Sequence, residues 1–157
     1  MDTENQSESG PARILIVEDE PILAGNIATY LRRAGFETTM KHDAHSGYDS
    51  FSQGYPDLVL LDHNLPGMTG LELMRKILAE APRTRVIMMT GQGNEDIAVA
   101  ALKGGASDYI RKPMQLKGLK LAVDRVLRKR RFDDYPQATR NAAEHRVMDT
   151  MERRRHR

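Results

Sequence analysis

Leu58-Val59-Leu60-Leu61-Asp62-His63-Asn64-Leu65-Pro66-Gly67-Met68-Thr69-Gly70 is the stretch that decides the fold of this 157-residue chain. Four consecutive apolar residues closed by a Pro- and Gly-rich breaker read as a short strand buried on both faces. Strands buried on both faces belong to parallel sheets covered by helices on each side. Asp62 then stands at the carboxyl end of such a strand, where open α/β sheets bind their ligands.

The same signature recurs on either side of it. Ile14-Leu15-Ile16-Val17 precedes Glu18 and Asp19, Val86-Ile87-Met88-Met89 precedes Thr90, and Tyr109-Ile110-Arg111 precedes Lys112. Phe36 to Lys41 is less apolar and reads as an edge strand. Helical spacing fills the intervals. From Pro21, which suits a first helical turn, Leu23, Ile27, Tyr30, Leu31 and Ala34 share a face, with Gly35 as the stop. Further helices are expected from about Ala44 to Gln53 ending at Gly54, around Leu71, Met74, Ile77, Leu78 and Ala81, from about Glu95 to Lys103, and from about Leu116 to Arg131. Five strands alternating with five helices predict a doubly wound α/β fold with a five-stranded parallel sheet. Right-handed crossovers are satisfied most simply by the order 2-1-3-4-5, which puts the ligand crevice between Asp19 and Asp62.

Composition narrows the function classes. With 39% apolar residues the chain has room for one packed domain and a short appendage. It holds no cysteine, which rules out disulfides and thiolate metal sites and fits a cytoplasmic protein. No export signal or membrane-length apolar run is present in the sequence. The net charge of +2 conceals an asymmetry: residues 1–127 hold 14 Lys and Arg against 17 Asp and Glu, while residues 128–157 hold 10 against 5. The basic character therefore belongs to the tail and does not make the whole chain a nucleic-acid binder.

Three carboxylates in one crevice, Glu18, Asp19 and Asp62, repel one another at neutral pH unless a cation cancels the charge. Oxygen donors favour Mg²⁺, which keeps several waters and needs few protein ligands. Asp19 and Asp62 suit direct coordination, with the carbonyl of Asn64 as a third ligand and Glu18 acting through water. A hydroxyl from Thr90 and an ammonium from Lys112 beside that metal make a cradle for a phosphoryl group. Each residue alone is ordinary strand-end chemistry; four strand ends converging are not. His42, His45 and His63 lack metal-ligand spacing.

Taken in order, Val17-Glu18-Asp19-Glu20-Pro21, Leu58 to Gly70, Met89-Thr90-Gly91 and Gly104-Gly105-Ala106-Ser107-Asp108-Tyr109-Ile110-Arg111-Lys112-Pro113 resemble the receiver domain of two-component response regulators, over residues 12 to 130. The resemblance implies a flavodoxin-like receiver fold, whose known strand order is the one expected above. It makes Asp62 the acceptor of a phosphoryl group from a phosphohistidine on a sensor histidine kinase or histidine phosphotransfer protein. Glu18 and Asp19 match the acidic pair, Thr90 the switch hydroxyl, Tyr109 the rotating aromatic and Lys112 the phosphate-binding lysine. The family usually has Asp where Glu18 stands. The resemblance also implies a cis peptide at Lys112-Pro113 and an output surface over about Asn94 to Arg131, and it is compatible with a homodimer.

The expected organisation is a disordered leader over 1–12, a receiver over 13–132 and a basic, helical tail over 133–157. The tail is too short for a winged helix, an ATPase or a cyclase. Three functions compete: a stand-alone receiver signalling by protein contact, a DNA-binding regulator reading through the tail, and the detached receiver of a hybrid kinase. The first is favoured, because the tail offers no recognition helix and no sequence-specific nucleic-acid contact is expected. Enzymatic action on external substrates is disfavoured, since no residue is placed as a general base.

Overall fold

The computed structural model describes residues 10–91 and 93–129. Five strands, β1 (Arg13–Val17), β2 (Glu37–Lys41), β3 (Leu58–Asp62), β4 (Arg85–Thr90) and β5 (Asp108–Arg111), alternate with five helices, α1 (Pro21–Arg33), α2 (Ala44–Gly54), α3 (Gly70–Glu80), α4 (Glu95–Lys103) and α5 (Leu116–Lys129). All strand pairs are parallel and the sheet order is β2-β1-β3-β4-β5, as the sequence predicts.

Alternation along the apolar strands builds two cores from one sheet, because successive side chains point to opposite faces. Ile14, Ile16, Leu58, Leu60, Ile87 and Met89 meet α1 and α5. Leu15, Val17, Val59, Leu61, Val86 and Met88 meet α2 and α3. Burying a leucine- or isoleucine-sized side chain is worth about 2 kcal/mol, so this double layer is the main stabiliser of the strand ends that carry the polar groups.

Three details depart from the sequence expectations. The second strand starts at Glu37, one residue late, because Phe36 N–H turns back to the carbonyl of Leu31 at the end of α1. Gly54 is not the stop of α2. It remains helical, and Tyr55 takes the left-handed position with φ of 44°. Its N–H donates to Phe51 O at 2.8 Å, its ring meets Phe51 edge-on at 5.3 Å, and the Arg13 guanidinium donates to the Gly54 and Tyr55 carbonyls, so several contacts hold a conformation that tyrosine disfavours. On α3 the buried stripe is Gly70, Leu73, Met74 and Ile77, with Leu71 and Leu78 at its rim. Leu73 was not among the expected core positions.

The expected helix end at Arg131, nearly all of the leader and the whole 133–157 tail lie outside the described residues. Among the described residues no helix is long and apolar enough to cross a membrane.

Candidate functional site

Each polar strand end is held by one backbone rung beyond its strand. Glu18 N–H donates to Lys41 O at 3.0 Å, His63 N–H to Met89 O at 3.0 Å and Lys112 N–H to Thr90 O at 2.6 Å. The carboxyl ends of β1, β3, β4 and β5 are thereby locked in register, and their side chains converge above the sheet.

Asp62 is 2% exposed, Glu18 0% and Thr90 1%, whereas Asp19 is exposed at the mouth of the crevice. Carboxylate oxygens of Glu18, Asp19 and Asp62 lie within 4.8 Å of one another. Lys112 reaches in from β5, paired tightly with Glu18 Oε1 and 3.3 Å from Asp62 Oδ2. Asn64 N–H donates to Asp62 Oδ1 at 3.3 Å, so the turn after β3 folds back over the carboxylate. Thr69 caps α3 by accepting from Glu72 N–H, and the loop between returns through Gly70 N–H to His63 O at 2.7 Å. Only glycine fits at 70, since a Cβ there would stand 2.5 Å from the Asp62 carbonyl oxygen and 2.6 Å from His63 Cα.

Burial is the main electrostatic fact of the pocket. It pushes Glu18 up from 4.5 to about 7, against the pull of the Lys112 hydrogen bond, and it raises Asp62 despite the opposing charge of Lys112. Burial also acts to lower Lys112, but the Glu18 and Asp62 carboxylates outweigh it and the ammonium is raised above 10.5. Two buried acids and one at the mouth share a single ammonium, leaving an excess of negative charge on oxygen donors alone. That is the donor chemistry of a hard divalent cation, and these residues fit Mg²⁺.

Every sequence-predicted pocket residue is found at this end of the sheet: Glu18, Asp19, Asp62, Asn64, Thr90 and Lys112. Tyr109 sits apart from them, half-buried against Ala98 and Leu102 of α4 and on the α2/α3 core. The Lys112-Pro113 peptide is cis, as the resemblance implies. Two features escaped the sequence reading. The first is the pairing of Lys112 with Glu18. The second is His42, whose Nδ1 lies 2.9 Å from the Glu18 carbonyl oxygen and which ties the end of β2 to the pocket. Neither has a sequence signal, because strands 24 and 94 residues apart meet only in the folded sheet. Among the described residues, no histidine belongs to the carboxylate group.

The response regulator receiver domain family matches residues 14–124, which contain the whole pocket. The chain belongs to this family. The receiver is 38% identical over 128 residues to the transcriptional activator protein PfeR of Pseudomonas aeruginosa, covering 82% of this chain and 42% of that one. A response regulator receiver domain protein from Clostridium thermocellum superposes with a TM-score of 0.74 at 30% identity, covering 77% of this chain and 98% of its own. A CheY-like receiver protein from Methanospirillum hungatei gives 0.76 at 29% identity, covering 79% and 99%. The receiver spans about half or less of the length of the curated relatives it matches, but nearly all of each of these two solved receiver structures.

Proposed function

We propose that Asp62 is the phosphoacceptor of this receiver. The observation that carries this reading is a buried carboxylate at the end of the central strand, with acidic oxygens on one side and an ammonium at 3.3 Å on the other. A carboxylate oxygen of Asp62 attacks the phosphorus of a phosphohistidine. The P–N bond breaks and the imidazole leaves with the electron pair, so the chain acts as a switch on its own side chain. Asp19 and Asp62, with the carbonyl of Asn64, would hold Mg²⁺, and Glu18 would reach it through water. When bound, the cation neutralises the oxygens of the transferring group. Lys112 balances a second oxygen and Thr90, on β4 beside Asp62, donates to a third.

The phosphodonor is a sensor histidine kinase or a histidine phosphotransfer protein. The signal leaves through the surface of α4, β5 and α5, within about Asn94 to Arg131. Thr90 precedes α4, so its engagement shifts the connecting loop, and Tyr109 turns inward against α4. The test is labelling by a small phosphodonor such as acetyl phosphate with Mg²⁺. Wild-type protein gains one acid-stable, base-labile phosphoryl group and Asp62→Asn gains none. Undiminished labelling of Asp62→Asn refutes the assignment.

A further inference from the structure

Lys112 and Glu18 meet across nearly the whole sheet. Their strands, β5 and β1, are separated by β4 and β3. At about 4.8 Å per strand step the backbones stand roughly 14 Å apart. Both ends of this span are anchored. Glu18 N–H donates to Lys41, its carbonyl meets His42, and its Oε2 accepts from Glu20 N–H at 3.1 Å, while Lys112 N–H donates to Thr90 O. With the backbones fixed, side-chain length decides which carboxylate the ammonium reaches. The tight contact goes to Glu18 Oε1, and Asp62 Oδ2 is left at 3.3 Å.

We propose that Glu18 is a positioning residue whose length draws the Lys112 ammonium into its tighter contact, leaving Asp62 the looser one at 3.3 Å and so more readily available to a cation. The inference rests on Asp62 being the acceptor and adds a division of labour within the acidic pair. Each Glu18 oxygen already accepts from a protein donor, Lys112 or Glu20 N–H, whereas Asp19 stands exposed at the mouth of the crevice where a metal can reach it. An aspartate at position 18 carries the same charge but is one methylene short of Lys112. The released ammonium then closes on Asp62 and competes with the metal for it. If position 18 served only as negative charge, aspartate would be its equal.

A double-mutant cycle read on Mg²⁺ affinity, by amide-shift titration of the full chain, separates these readings. Glu18→Asp is expected to weaken Mg²⁺ binding by about tenfold, and Lys112→Ala to recover that loss in the Glu18→Asp background while giving much less in the wild-type background. The second readout is the Lys112 ammonium in metal-free protein. Its side-chain contacts shift from Glu18 to Asp62 in Glu18→Asp, which also shows that the variant is folded. Equal effects of Lys112→Ala in both backgrounds, wild-type Mg²⁺ affinity in Glu18→Asp, or unmoved Lys112 contacts each overturn the proposal. Failure of the acceptor assignment appears elsewhere, as absent labelling of the wild-type protein by acetyl phosphate.

Discussion

Without metal, this fold should lose stability as the pH rises from 5.5 to 8, the reverse of the usual acid sensitivity. Glu18 is the cause. Its folded value, about 7, lies above the ordinary 4.5 because burial penalises the carboxylate. A group raised on folding contributes stability that is complete below its unfolded value and disappears as the pH climbs through its folded one. The interval from 4.5 to 7 corresponds to roughly 3 kcal/mol, a sizeable share of the 5 to 15 kcal/mol typical of a domain. Asp62 is raised too and acts in the same direction, while Lys112, raised above 10.5, stays charged throughout the window. Asp43, held down by its Ser46 cap, and Glu80, held down by Tyr48, act in the opposite sense but only at pH values below the window. Urea unfolding in EDTA, followed by circular dichroism, measures the effect. The expected result is about 2 kcal/mol more stability at pH 5.5 than at pH 8. Glu18→Gln should flatten the profile, and millimolar Mg²⁺ should restore stability at pH 8 by binding the ionised pocket. Wild-type stability that is flat or rising over this range in EDTA refutes the reasoning.

Gly70→Ala should cost about 2 kcal/mol in urea unfolding, because the new Cβ meets backbone atoms that cannot yield. An unchanged midpoint would show that the loop after Asp62 has room to move. Thr90→Ala should leave Asp62 open to phosphorylation yet uncouple it from partner binding. Normal affinity of the phosphorylated variant for its partner would end the case for Thr90 as the coupling group.

The sheet was legible because its central strands have no polar face. Leu58 to Leu61, Ile14 to Val17 and Val86 to Met89 are apolar at every position, and only a strand covered on both sides tolerates that. The pocket was legible for a related reason, since polar groups following such runs mark strand ends. Side-chain choice was harder. Nothing along the chain says that Lys112 reaches Glu18 before Asp62, because that contact depends on distances across the sheet. Tyr55 broke the simple rule that a glycine ends its helix, through contacts with Arg13 and Phe51 that are distant or aromatic and carry no positional code. Leu73 was missed because α3 also places Leu71 and Leu78 near the sheet, which blurs the stripe.

The contact between Lys112 and Glu18 spans 94 positions of sequence, and β5, which the lysine directly follows, is a four-residue strand at the sheet's edge. Edge strands held by one neighbour open at lower free energy than central ones. Opening of β5 would withdraw Lys112 while β1 and β3 keep the carboxylates in place. Asp62 thus remains in place in a partly opened molecule while the ammonium that faces it is absent. In a nascent chain the same order applies, since residues 18 and 62 emerge from the ribosome well before residue 112. On the proposed reading of Asp62, competence to take a phosphoryl group would depend on β5 being docked.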